Sequence, residues 1–172
     1  MKYEVIDNFF NVNEFKCICN IIEQESFTWN LIKKANDFST DEKQFQLYHE
    51  THLYGREVSP FSGVLIRPIM QRLKELKGYQ SIGVTRAKIN CFIKSDENLG
   101  LGFHRDIEDT DEYSTILLYL DTNNGYTELK TGEKIPTIAN SALIFPAHEL
   151  HQTVTQTDTM YRKNININFK EL

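Results

Sequence analysis

From Gly83 onward the chain keeps the period of a strand. Arg86-Ala87-Lys88-Ile89-Asn90-Cys91 alternates polar and apolar side chains, the pattern of a strand with one face on a core. Tyr113 to Leu120 is a second strand with a continuous apolar centre, and Asn123-Asn124-Gly125 reads as a turn. Strands follow at Tyr126–Leu129, Ser141–Phe145 (closed by Pro146), His151–Thr155 and Tyr161–Phe169. The first half has a different period. An opening strand ends at Asp7-Asn8-Phe9-Phe10, and Asn11 caps a helix whose body, Phe15 to Glu25, puts Phe15, Cys19, Ile22 and Ile21 on one face. Ser62 to Leu76 is a second helix, with Val64, Leu65, Ile69, Met70, Leu73 and Leu76 spaced for burial. Pro68 must lie in its first turns or bend it, and Lys77-Gly78 stops it. Residues 35–60 are polar and weakly patterned, which predicts a long loop or short irregular hairpin and a candidate lid. Two helices followed by about seven strands predict an α+β fold with the helices outside an antiparallel sandwich or jelly roll.

A length of 172 residues suits one domain, 1–172, with 1–79 as helical support and 80–172 as the strand-rich core. The composition, 40% hydrophobic and 25% charged, is that of a soluble globular chain. No run reaches the roughly 18 apolar residues of a membrane span, and the first residues lack the basic start and apolar stretch of a signal peptide. Cys17, Cys19 and Cys91 are odd in number and cannot all pair within the chain, so a reducing cytoplasm is expected. A net charge of −5 gives no overall attraction to nucleic acid.

The candidate chemistry lies at His104-Arg105-Asp106 and His151. Residues two apart on an extended chain share a face, so His104 and Asp106 point together and Arg105 away. A jelly roll can bring a distant strand beside them. Two imidazoles and a carboxylate on one face of a divalent ion suit iron(II), manganese or zinc and leave the other positions open. His-x-Asp alone is a common pair, and Asp106 also reads as a surface carboxylate of the acidic run ending at Glu112. His148 is the rival third ligand; it reads as a surface residue, because His151 begins the strand. His49 and His52 are excluded as ligands by spacing, with His52 placed near a substrate mouth. Phe27 and Trp29 are read as packing a helix on the sheet.

Four further features surround the triad: Thr115-Ile116-Leu117-Leu118-Tyr119-Leu120-Asp121, Gly125-Tyr126-Thr127-Glu128-Leu129, Ala142-Leu143-Ile144-Phe145-Pro146 ahead of His151, and Arg162-Lys163-Asn164-Ile165-Asn166-Ile167-Asn168-Phe169. In this order the chain resembles the iron(II)- and 2-oxoglutarate-dependent dioxygenases of the prolyl-4-hydroxylase-like branch, and looks closest to small members encoded by tailed phages. The resemblance covers residues 80–172 well and 1–79 loosely. It implies a double-stranded β-helix (jelly roll), with His104, Asp106 and His151 as metal ligands. It implies Arg162 as the cation on the far carboxylate of 2-oxoglutarate, where a guanidinium can make two parallel hydrogen bonds. Tyr119 is expected on the same carboxylate, Thr115 and Leu117 along the pocket, and Asn90 and Asn164, with Asn166, as co-substrate or supporting groups. Two departures stand out. Arg162 is one position later than the usual offset, and Phe92 replaces a common Tyr, whose contact Asn90 or Lys88 is expected to supply.

The cofactors so implied are Fe(II), 2-oxoglutarate and O2, with ascorbate as a reductant, and the setting is cytoplasmic (the host cytoplasm for a phage-encoded chain). The expected reaction turns a substrate C–H into C–OH while 2-oxoglutarate becomes succinate and CO2. The expected partner is a protein or peptide side chain, or a small molecule, with no membrane. The alternative is oxidation of a nucleobase, as in AlkB-type dealkylases, faintly suggested by Asn90-x-Phe92 and Arg162-x-Asn164. The turn at Gly125, the Asn168 where a second Arg would stand, and the acidic net charge disfavour it. A third reading is a catalytically silent jelly-roll binding module, which the intact ligand set makes the weakest.

Overall fold

A computed structural model describes residues 3–32, 46–108 and 111–172. Strand β1 (Glu4–Ile6) leads to helix α1 (Val12–Ile22), then β2 (Asn30–Ile32), β3 (Gln46–Leu53) and β4 (Arg56–Glu57). Helix α2 (Ser62–Lys77) follows. The remaining strands are β5 (Ile82–Ile93), β6 (Ser114–Tyr119), β7 (Asn123–Leu129), β8 (Lys134–Thr137), β9 (Ala142–Pro146), β10 (His151–Val154) and β11 (Tyr161–Glu171). The larger sheet has the order β1-β9-β6-β11-β5-β3-β2, with β4 on β3, and the smaller has the order β10-β7-β8. All the pairings are antiparallel. The result is an α+β jelly roll with two helices on one outer face, as the patterning predicts.

Helix α1 starts where Asn11 can cap it. The Asn11 side-chain oxygen accepts from the backbone N–H groups of Asn13 and Glu14, and the Glu14 carboxylate accepts from the Asn11 N–H. Helix α2 ends at Gly78, whose φ of 73° is the left-handed C-cap conformation. Ile18 and Ile22 of α1 and Leu65, Ile66, Ile69, Met70 and Leu73 of α2 pack on Ile89, Ile116, Leu118, Ile165 and Ile167 of the larger sheet. Each fully buried aliphatic side chain here contributes about 1.5–3 kcal/mol. Val64 and Leu76, expected inside, are 50% and 40% exposed; Leu65, Ile69, Met70 and Leu73 are buried as expected, and Ile66 joins them. A second, smaller core of Leu117, Tyr119, Leu129, Ile135, Leu143 and Phe145 fills the space between the two sheets.

The stretch 35–60 is corrected in part. Gln46–Leu53 is β3, hydrogen-bonded between β2 and β5, and it turns at Tyr54-Gly55 into β4, so these residues form the short hairpin of the two alternatives and belong to the sheet rather than to a loop or lid. The earlier part of that stretch, including the lid expected there, lies outside the described residues. Asn123-Asn124-Gly125 is also strand rather than hairpin turn, at an irregular register of β7 on β8.

Candidate functional site

Backbone pairing brings the triad together. His104 and His151 form an isolated antiparallel bridge, each N–H donating to the other's carbonyl at 2.9 and 3.0 Å. Residues directly opposite on such a bridge project to the same side, and the two ring centroids lie 4.4 Å apart. The Asp106 N–H donates to the Ala147 carbonyl at 3.1 Å, which fixes the start of the following turn. One ligand atom from each of His104, Asp106 and His151 lies within 4.8 Å of the others. Asp106 carboxylate oxygens stand 4.0 Å from His104 Nε2 and 3.9 Å from His151 Nε2. His148 instead faces Asp111 across 3.4 Å.

The protonation states suit a metal. His151 Nδ1 lies 2.9 Å from the Glu149 carbonyl and His104 Nδ1 3.3 Å from the Gly102 carbonyl. A carbonyl only accepts, so each Nδ1 carries a hydrogen and each Nε2 is the ring atom turned toward Asp106. Burial, and then the neighbouring His151, push the His104 pKa down to about 4, so its ring is neutral at physiological pH. Burial pushes the Asp106 carboxyl upward, but His151, His104, Lys88 and the Thr115 hydrogen bond outweigh it and hold the pKa at about 2. Two imidazole nitrogens and one carboxylate are a donor set that fits a divalent ion such as iron(II).

The strands β11, β5 and β6 supply the floor. Inward positions of β11 are Arg162, Asn164, Asn166 and Asn168. Opposite them stand Phe92, Asn90, Lys88 and Arg86 of β5, and Tyr119, Leu117 and Thr115 of β6 face the last three. The Thr115 hydroxyl donates to Asp106 at 2.8 Å, and the Asn168 amide donates to both, at 3.1 Å to Asp106 and 2.9 Å to Thr115. Asn166 adds a longer contact to Asp106 at 3.3 Å. Thr115, expected along the co-substrate pocket, therefore sits on the Asp106 carboxylate. Asn90 donates to Asn164 at 2.9 Å and accepts from Gln46 at 2.6 Å, an amide row across three strands. Leu117, Asn90 and Asn164 line the cleft onto which His104 and His151 open.

Arg162 is completely buried. Its Nε donates to the Thr137 hydroxyl at 2.8 Å and its Nη2 reaches the Thr127 hydroxyl at 3.4 Å. Nη1 has no partner, and no carboxylate among the described residues forms an ion pair with this guanidinium. Burial lowers its pKa, yet arginine stays charged in proteins. Phe92 and Tyr119 put their rings 5.6 and 5.9 Å from it, and the Tyr119 hydroxyl donates to Thr127 at 2.8 Å. A buried cation with an unused donor, ringed by hydroxyls, fits a small carboxylate such as the far end of 2-oxoglutarate.

Sequence reasoning missed Thr137 and Gln46, and passed over Thr127 and Asn168 as motif members without a role. Threonine is an ordinary strand residue, so only its inward parity would have marked Thr127 and Thr137. His52, expected near the mouth, is buried against Ser62 at the start of α2, 3.0 Å from its hydroxyl. His49 sits between the Thr28 carbonyl and the Ser59 hydroxyl, and Phe27 stacks beside it and Trp29. No helix of the described residues is long and apolar enough to cross a membrane.

No protein-family model matches the chain, and no curated protein matches its sequence. Solved structures do match its fold. An oxidoreductase of the 2OG-Fe(II) oxygenase family from Burkholderia pseudomallei has a TM-score of 0.72 at 12% identity, over 99% of this chain and 85% of that one. A viral collagen prolyl hydroxylase from Paramecium bursaria Chlorella virus-1, solved with 2OG, has a TM-score of 0.63 at 16% identity, over 100% and 97%. A prolyl hydroxylase from Trichoplax adhaerens, solved with a peptide fragment of a hypoxia-inducible factor, has a TM-score of 0.63 at 18% identity, over 98% and 83%. The fold of this chain is that of the 2OG-Fe(II) oxygenases.

Proposed function

We propose that the chain is an iron(II)- and 2-oxoglutarate-dependent dioxygenase that hydroxylates a C–H bond on a protein or peptide side chain, with proline as the first residue to test. The observation that carries the reading is the buried guanidinium of Arg162. It stands on the inward row of β11 whose Asn166 and Asn168 donate to Asp106, a member of the cluster of two histidines and an aspartate, and its Nη1 has no partner. Iron(II), when bound, supplies the oxidation that couples decarboxylation of 2-oxoglutarate to succinate with transfer of oxygen to the substrate. The chain's own work is positioning. His104, Asp106 and His151 hold the metal, and Thr115 and Asn168 keep the Asp106 carboxylate aimed at it. Arg162, Tyr119, Thr127 and Thr137 take the far carboxylate of 2-oxoglutarate. Phe92 and Leu117 exclude water between the two. The preference for a peptide rests on two prolyl hydroxylases among the structures of the same fold. The cytoplasmic setting belongs to the same reading.

The test is succinate formation from 2-oxoglutarate with iron(II) and oxygen. Wild-type protein is expected to turn over, slowly without substrate and faster with a peptide that is accepted. His104→Ala and Asp106→Ala are expected to fall to background while keeping the far-ultraviolet dichroism of the folded chain. Equal succinate formation by folded ligand variants would remove the assignment.

A further inference from the structure

Lys88 stands on the inward row of β5, opposite Glu50 of β3 and Asn166 of β11. Its side chain lines the cleft onto which His104 and His151 open. It is half-buried, and no described residue gives its ammonium a hydrogen bond or ion pair. The groups across the register are engaged elsewhere: Glu50 pairs with Arg86 at 3.1 Å, and Asn166 donates to Asp106. Asp106 is within electrostatic reach of Lys88. Its oxygens, however, already receive Thr115, Asn168 and Asn166 and face the two imidazoles. Burial lowers the Lys88 pKa to about 8, so the group is still mostly charged at neutral pH.

An ammonium drawn out of water without a partner is costly. On a cleft wall it is open to a ligand, whose carboxylate would replace the water at its exposed side. That ligand is not the co-substrate held by Arg162. Arg162 lies opposite Phe92, and Phe92 and Lys88 are four positions apart on one strand, about 13 Å of backbone. Beyond Lys88 the same inward face carries Arg86 and, on β11, Lys170, which faces Glu112 at 3.7 Å. The face leading away from the metal ligands is thus a row of cations, and Lys88 is the member of that row without a carboxylate in contact.

We propose that Lys88 is a substrate-binding residue that takes the side-chain carboxylate of an Asp or Glu close to the oxidised residue, so that the substrate is an acidic peptide segment. This deepens the oxygenase reading and rests on it.

The test uses the full chain with iron(II) and 2-oxoglutarate, and a random peptide library free of Met, Trp and Cys, read for one-oxygen mass gains. Wild-type products are expected to be enriched in Asp or Glu next to the modified residue. Lys88→Arg is expected to keep that enrichment, Lys88→Met to lose it, and Lys88→Glu to replace it with Lys or Arg. For an acidic peptide, Lys88→Met is expected to raise KM about tenfold or more, the size of one hydrogen bond between charged groups, with a smaller change in kcat. The melting temperature of each variant shows whether it is folded, and Lys88→Arg serves as the reference if Lys88→Met is not. Absence of succinate from the wild type overturns the oxygenase reading itself. Succinate without any modified peptide overturns the peptide assignment and this inference with it. Modified peptides with no acidic bias, or a bias unchanged in Lys88→Glu, overturn the role of Lys88 alone. So does a KM increase for 2-oxoglutarate in place of the peptide.

Discussion

On the proposed function, Arg162 is a single residue placed for binding at the expense of stability. A fully buried guanidinium with only hydroxyl partners and one idle nitrogen weakens the apo fold, because its desolvation is incompletely offset. Arg162→Met keeps the length and apolar stem and removes the charge. Its unfolding free energy is expected to rise by about 1 kcal/mol or more, while affinity for 2-oxoglutarate falls about a hundredfold or more, the loss of two charged hydrogen bonds. Chemical denaturation and calorimetric titration read the two effects separately. A variant that is both less stable and still binds would show the cation to be a structural element.

His104 gives a second prediction at this scale, with a definite sign. Its folded pKa of about 4 lies below the ordinary 6.5. As pH drops from 6.5 toward 4 the unfolded chain takes up a proton that the folded chain refuses, so metal-free protein loses stability across that window, by on the order of 2–3 kcal/mol. Asp106, held at about 2 against 3.8, contributes stability that is complete above 3.8 and lost as pH falls toward 2. His104→Gln is expected to flatten the decline between pH 6.5 and 4 in urea denaturation; an unaltered slope would contradict the neutral buried ring. The meeting of His104, Asp106 and His151 and the burial of Arg162 were legible because rare side chains stood in a distinctive order. Thr127 and Thr137 were not, because threonine is at home in any strand.

At the scale of elements, legibility followed the environment of each face. Strand β11 announces itself because Ile165, Ile167 and Phe169 alternate with Asn164, Asn166 and Asn168, one set facing the helices and the other the cleft. Strand β3 hides because both of its faces are polar. Gln46 joins the amide row on the cleft side, while His49 and His52 find partners in Thr28, Ser59 and Ser62 on the helix side. The Asn-Gly pair in β7 misled for a different reason. Gly125 is there for close approach, not for a turn: a β-carbon on it would stand 3.0 Å from the Arg162 Cδ and 2.9 Å from the Val154 carbonyl. Gly125→Ala is therefore expected to destabilise the fold by about 1–3 kcal/mol and, by displacing Arg162, to raise KM for 2-oxoglutarate. Thermal melts and steady-state assays check both, and an unchanged KM would mean that the guanidinium does not depend on this contact.

For the molecule as a whole, the two sheets divide the work. Helices α1 and α2 bury one face of the larger sheet. The opposite face is left free to carry a row of polar and charged groups that no ordinary core would keep. The smaller sheet supplies β10 and, through the bridge at His104, holds the cluster of His104, Asp106 and His151 beside that row. Order along the chain revealed part of this architecture, because β5 to β11 all follow α2; β1, ahead of α1, and β2 to β4, between the helices, complete the larger sheet. The pairing of residues 100 and 104 with β10 was not visible, since those residues form single bridges rather than a patterned strand. The central claim is that three ligands and one guanidinium together make a site for iron(II) and 2-oxoglutarate. It is tested most directly by adding iron(II) and then 2-oxoglutarate to the protein under anaerobic conditions and recording the visible spectrum. A weak charge-transfer band that saturates at one equivalent of each, and is missing in Asp106→Ala and Arg162→Met, is the expected result. A spectrum unchanged by 2-oxoglutarate, or a band of equal strength in both variants, would contradict the claim.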